Sequence, residues 1–220
     1  MLALIILFGL LAGLLTHADN LQTSEDQRGV FGVGSVAGIF SALTGVLLVT
    51  SEYRFGTIRP TFLFTARRSR VIGAKLIASL LAGLVFGVVG EGLGFGIGYA
   101  CFEARGIPLV LHGGSLTLLL LGTIAGVAFF GAIGVSVAAI VRNQIGAIVG
   151  LLAWGFIVEN LLFAFVPSVG RFTPGEASNA LAGLTTNHLV SPAAGGAVMV
   201  AWIVALSAVG LALTARRDVG

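Results

Sequence analysis

Charged residues are scarce in this 220-residue chain: 12 Lys and Arg with 9 Asp and Glu make up 10% of it, against roughly 25% in soluble globular proteins. With 57% hydrophobic residues and a mean hydropathy of +1.06, that deficit excludes a water-soluble enzyme fold. Cysteine is nearly absent as well. Cys101 has no partner for an internal disulfide, and without a cysteine pair there is no thiolate zinc site or dithiol redox chemistry. Lysine occurs once, at Lys75 between Ala74 and Leu76, so the chain lacks the Gly-Lys-Ser/Thr loop that holds ATP phosphates and cannot hydrolyse ATP itself. No His-Glu-x-x-His pair and no nucleophile elbow occur, which leaves metalloprotease and serine-hydrolase chemistry unsupported. The ten-residue alternating segments of a membrane β-barrel are also missing. The glycine runs GVGSVA at 32–37 and GEGLGFGIG at 90–98 follow no strand of a soluble unit, so neither reads as a nucleotide loop.

What the sequence does contain is long uncharged runs: Val30 to Ser51, Gly106 to Val141, Asn143 to Val158 and Ala177 to Ala215. A bilayer crossing takes about 20 apolar residues. The expected fold is all-α, a single polytopic membrane domain over 1–220 with six transmembrane helices near 1–16, 31–50, 76–98, 115–141, 145–166 and 195–214. The first is the shortest, about 24 Å of helix against a hydrocarbon core of about 30 Å. It reads as a short span and not as a signal peptide, because no Lys or Arg precedes it and LTHADN is a poor cleavage site.

Basic residues set the orientation. Arg54, Arg59, Arg67, Arg68, Arg70 and Lys75 crowd between spans two and three, which the positive-inside rule places in the cytoplasm. Alternation then puts Arg142, Arg216 and Arg217 on the same side, and both termini are cytoplasmic. Arg28, Arg105 and Arg171 fall outside, accompanied by Asp19, Glu25, Asp26, Glu103 and Glu176. The pI near 9.8 therefore reflects topology and not nucleic-acid binding.

Glycine supplies 33 residues, many inside spans, where small-xxx-small spacing lets helix backbones approach. Gly90, Gly94 and Gly98, Gly122 with Gly126, and Gly146 with Gly150 predict packed faces on spans three, four and five. Glu91 and Glu159 are acids inside apolar spans, each costing about 2.5–3.5 kcal/mol near the bilayer centre on insertion scales. Lying at similar depth, they are candidates for one cavity and, with Asn160, for a substrate path; the alternative is that they tie helices together. His17, His112 and His188 fall in outer loops with no ligand spacing. The segment 167–194, between spans five and six, is mildly polar and suits short re-entrant or interfacial helices, with Pro174 and Pro192 as breaks.

The segment 51–75 carries the most information. Phe55, Ile58, Phe62, Leu63 and Phe64 alternate with arginines, as in an element lying on a membrane surface or docked on a partner. Binding of anionic lipid headgroups would account for the charge alone. Glu52 has Arg54 and Arg59 as candidate local partners. The order Glu52, Gly56-Thr57, a basic cluster of Arg59, Arg67, Arg68 and Arg70, and Lys75 opening the third span resembles the permease subunits of bacterial type-2 ATP-binding-cassette transporters. The six-span topology and the length of the last loop are similar over nearly the whole chain. Relatives often have proline where this chain has Ala66, and they usually carry a cytoplasmic lead-in before span one that is not present here.

The resemblance implies that 51–75 includes a coupling helix, with Glu52, Arg54, Phe55, Gly56, Thr57, Arg59, Arg67, Arg68 and Arg70 as ATPase-coupling residues. It further implies a multi-pass subunit in the bacterial cytoplasmic membrane, working as an exporter beside a second permease subunit. No cofactor is expected in this chain, since ATP and magnesium would be bound by a separate ATPase. Two other readings remain at this point: a gradient-driven transporter using Glu91 and Glu159, and a non-transporting membrane scaffold.

Overall fold

A computed structural model describes residues 1–17, 21–55, 68–111, 113–184 and 188–216; the side chains of 68–69 and 214–216 lie outside that description. The described residues are helical throughout, without strands. In chain order they form α1 (Leu2–Leu15), α2 (Ser24–Phe31), a 3-10 segment (Gly32–Val36), α3 (Ala37–Arg54), α4 (Arg68–Arg105) and α5 (Gly113–Val141). After these come α6 (Gln144–Ala153), a π-helical turn (Trp154–Val158), α7 (Glu159–Phe165), α8 (Pro167–Gly170), α9 (Pro174–Leu181) and α10 (Pro192–Arg216).

Among the described residues, five stretches are long and apolar enough to cross a bilayer: Ser24–Arg54, Arg70–Arg105, Gly113–Val141, Gln144–Phe165 and Pro192–Leu213. These are the helices of a multi-pass membrane protein. The sequence predicts six spans; the first of them, α1, is a shorter apolar helix of 14 residues. Span boundaries also move. The expected second span, 31–50, is the middle of a continuous 31-residue helical stretch, and the third begins well before 76 because α4 runs 38 residues, about 57 Å. Hydropathy marks where side chains meet lipid, whereas a helix continues into water wherever its backbone bonds allow. Most of the described part of the 51–75 segment is therefore helix continuous with the spans it joins.

Local sequence explains the ends. Thr23 caps α2, its Oγ1 accepting from the Asp26 N–H at 3.2 Å while Asp26 Oδ2 accepts from the Thr23 N–H at 3.2 Å. Between α5 and α6 the chain reverses at Arg142, with φ 56°, and the Asn143 side chain then accepts from the Gly146 N–H at 2.9 Å. Pro174 and Pro192 open helices at the first turn, where a missing N–H costs nothing, so they start structure and do not break it.

The central helix is α5, packed by α3, α4 and α10. Its contact with α3 is backbone on backbone: a Cβ added at Gly134 would fall on the Ala42 carbonyl, and one at Gly45 on the Gly131 carbonyl. Across the α5–α10 contact, the Ser136 and Ser207 hydroxyls are 2.8 Å apart. The predicted glycine faces divide. Gly90 and Gly94 receive Ala37 and Gly34, and Gly98 meets the Phe31 ring. Gly122 and Gly126 receive α9, an element outside the spans. On span five, Gly146 meets the end of α5 at Val141 and the cap residue Asn143, and nothing lies near Gly150. Span five therefore runs along the outside of the bundle, almost wholly unburied.

The loop end is closed by a knot around Gln27, which is fully buried. Its Nε2 donates to the carbonyls of Leu21 at 3.2 Å and Pro108 at 2.9 Å, and its Oε1 accepts from the N–H groups of Val110 at 2.8 Å and Leu111 at 3.3 Å. Arg28 donates to the Gly183 carbonyl and Arg105 to the Gly13 carbonyl at 2.5 Å, which fastens the 182–184 turn and the end of α1 to the same cap.

These contacts predict opposite outcomes for two glycine substitutions. Gly134→Ala is expected to lower thermal stability in detergent, overpacking of this kind costing about 1–3 kcal/mol. Gly150→Ala is expected to be neutral or to stabilise by up to about 1 kcal/mol through helix propensity. Melting curves of the two purified variants check this, and equal shifts would remove the α3–α5 contact as the tight one.

Candidate functional site

Span five changes register halfway. At the π turn Trp154–Val158 the Glu159 N–H donates to the Trp154 carbonyl, five residues back, and the widened turn frees carbonyls that a regular helix would occupy. Asn160 covers them: its Nδ2 donates to the Gly155 and Phe156 carbonyls, both at 3.1 Å. Glu159, next to it, is turned inward and buried. Its Oε2 accepts from the Gly175 N–H at 2.7 Å. Gly175 lies in the first turn of α9, where amides have no intrahelical acceptor, so a carboxylate from span five caps a helix from the following loop. Any side chain at 175 would displace it, since a Cβ there would fall on Glu159 Oε2.

Between span five, α3, α5 and α9 lies a cavity of about 330 Å³. Glu159 and Asn160 line it, together with Glu176, Ser178 and Asn179 of α9. Its apolar walls include Ile39 and Ala42 of α3, Phe130 and Ile133 of α5, Leu151 and Leu152 of α6, and Trp154 and Phe156 of the π turn. Among the described residues no Lys, Arg or His lines it. Burial pushes the Glu176 carboxyl above its ordinary value, opposed by a hydrogen bond from Asn179 Nδ2 at 3.3 Å. Glu176 and Asn179 are the residues that sequence reasoning missed; Glu176 was readable only as a loop charge until α9 placed it. The available signal was Pro174 followed by an acid, which marks a helix start.

Glu91 is elsewhere. It faces the 3-10 segment, where Gly34 has no Cβ and the α4 backbone presses directly on it. Its side chain is 1% exposed, and both carboxyl oxygens are buried without a hydrogen-bond partner. Glu91 is not among the cavity's lining residues, so the expectation that it and Glu159 face one cavity is corrected: equal depth along two helices does not fix the direction in which each side chain leaves.

At the other end of α3, Glu52 Oε1 lies 2.9 Å from Lys75 Nζ, which also donates to the Leu48 carbonyl at 2.6 Å. This partner is 23 residues away, because α4 returns alongside α3; of the two expected local partners, Arg59 lies outside the described residues. Arg54 instead donates to Gln144 Oε1 at 3.4 Å and stacks 5.6 Å from the centre of the exposed Phe55 ring. Arg142 lies 5.7 Å from the Tyr53 ring centre, so the α5–α6 turn meets the same end of α3. Arg70 is exposed near the start of α4. Gly56, Thr57, Arg59 and Arg67 lie outside the described residues, as does the Arg68 side chain. Among the described residues no group of three His, Cys, Asp or Glu side chains gathers as a metal site. His188 sits edge-on to Phe163 at 6.5 Å, and His112 is outside the described residues.

The Glu52–Lys75 pair is half-shielded, and Lys75 is held in place by the Leu48 carbonyl as well, so the pair is expected to couple energetically. A double-mutant cycle of Glu52→Gln and Lys75→Met, read from thermal unfolding, should give a coupling of about 0.5–3 kcal/mol. Additive single effects would mean that the two side chains do not hold α3 to α4. No protein-family model matches the chain, and no characterised protein matches it in sequence.

Proposed function

We propose that the chain is the membrane-spanning permease subunit of a type-2 ATP-binding-cassette transporter in the bacterial cytoplasmic membrane. It is a six-span subunit with both termini in the cytoplasm, works as an exporter by alternating access, and pairs with a second permease subunit, the same or different. ATP and magnesium are bound by a separate ATPase. The observation that carries this reading is the Glu52–Lys75 pair at 2.9 Å. These are the first and last residues of the pattern that resembles the coupling region of such permeases, and they are tied together across α3 and α4. A connector pinned at both ends transmits displacement to two spans at once. When ATP brings the ATPase subunits together, the segment around Glu52 to Arg70 is dragged with them, and α3 and α4 move as a unit to open the path.

The test is co-purification in detergent with an ATPase encoded beside this chain, at matched membrane insertion. Glu52→Ala, and Arg67, Arg68 and Arg70 changed together to Ala, are each expected to lower recovery of the complex at least severalfold. A well-folded chain that binds no ATPase would reject the proposal. Partner binding without any substrate flux would make it a scaffold.

One observation favours a second reading, a gradient-driven transporter. Glu91 buries two carboxyl oxygens with no hydrogen-bond partner, the environment in which an intramembrane acid exchanges a proton. That reading requires transport without ATP and its loss in Glu91→Gln; ATP-dependent flux that persists in Glu91→Gln excludes it.

A further inference from the structure

The cavity beside Glu159 has a chemistry of its own. Ligand cavities span about 300–1,000 Å³, with mostly apolar walls and a few placed polar groups. At about 330 Å³ this one admits a molecule of a few rings and is too small for a peptide, a glycan or a two-tailed lipid. Its polar lining comes mainly from span five and α9, with Glu159, Asn160, Glu176, Ser178 and Asn179, and includes Ser35 of the 3-10 segment. Two carboxyl groups in a largely apolar wall, with no Lys, Arg or His among the described lining residues, favour a positive charge over an anion. Trp154 also lines the cavity, and aromatic side chains attract cations. Ile39, Ile133, Leu151 and Leu152 supply apolar wall, and a bare metal ion would leave most of the space unfilled.

We infer that this cavity binds a lipophilic organic monocation, an aromatic amine or quaternary ammonium compound, with its charge at Glu159 and Glu176 and its apolar body toward Ile39 and Leu151. The Glu159–Gly175 bond fixes α9 so that Glu176 lines the cavity, and span five forms the wall through which the ligand enters from the membrane. Calling the ligand a transported substrate rests on the permease reading; the binding does not.

Fluorescence-polarisation titration of the purified full chain in detergent tests it, with ethidium as the cationic probe and 1-anilinonaphthalene-8-sulfonate as an anionic aromatic counterpart. Saturable ethidium binding is expected, at least tenfold tighter than the anion. Glu176→Gln should weaken it tenfold or more. Leu152→Trp, which fills the cavity from the outward span, should weaken both probes and keeps the test open if the acid variant fails to fold. Wild-type affinity in both variants, equal binding of the anion, or no saturable ethidium binding would overturn the inference. Scoring the same preparations for ATPase recovery separates the two ideas: cation binding without an ATPase complex sinks the permease reading alone, and a complex without cation binding sinks the cation site alone.

Discussion

The bundle depends on the backbone contact between α3 and α5, where Gly45 and Gly134 bring each helix onto a carbonyl of the other. Inside a bilayer, apolar side chains gain little by leaving lipid for one another, so helix association depends on close van der Waals contact and on the lack of side chains at the crossing. From that contact the rest is positioned. A second helix, α4, reaches the same part of α5, a Cβ at Gly83 falling 2.7 Å from the Ala128 Cα and one at Gly131 falling 2.7 Å from the Ser79 carbonyl oxygen. On the far side α10 meets α5 through Gly210 and Ala139 and the paired serines. One helix is thus gripped on three sides, and span five, which has no such grip beyond its first turns, is left at the periphery.

Polar groups buried against this frame are answered mainly by backbone. Glu159 takes an amide of α9, Gln27 takes four backbone groups from two loops, and Arg28 and Arg105 each take a carbonyl. With no water inside the hydrocarbon region, free amides and carbonyls at helix ends are as costly as side-chain charges, and pairing one kind with the other removes both penalties. This arrangement holds short elements such as α8 and α9 against the bundle although neither could persist alone. Glu91 departs from this, as do the Ser41 and Thr123 hydroxyls: it sits at a tight backbone contact of α4 with the 3-10 segment, and neither carboxyl oxygen has a hydrogen-bond partner among the described residues.

The helical class and most spans were legible because uncharged runs and the physical thickness of a bilayer leave few alternatives. Acids inside those runs, Glu91 and Glu159, were legible for the same reason: a charge in an apolar stretch stands out. Their neighbours were not. Facing direction depends on helix rotation, and for span five a π turn at Trp154–Val158 alters the rotation in a way that no apolar period records. Glycine spacing identified faces capable of close approach without identifying what fills them: Gly122 and Gly126 take a loop helix, Gly146 takes only the end of α5 at Val141, and Gly150 takes nothing. The Glu52–Lys75 pair was hidden by sequence distance, since nothing local indicates that two helix ends return side by side.

Rigidity is distributed unevenly, and under the proposed function that matters. The connector's two ends are fixed to α3 and α4, and both of these helices are packed onto α5, so a pull on the connector moves one solid body of three helices. Span five joins that body through α6 near the tight turn at Arg142 and through Glu159 at α9, with the cavity between these attachments. A displacement of the solid body relative to span five must therefore widen or close the space lined by Ile39 and Ala42 on one side and Leu151 and Leu152 on the other. Under the proposed function, Glu52 with Lys75 is where force would enter, and Glu159 with Glu176 is where a ligand would feel it.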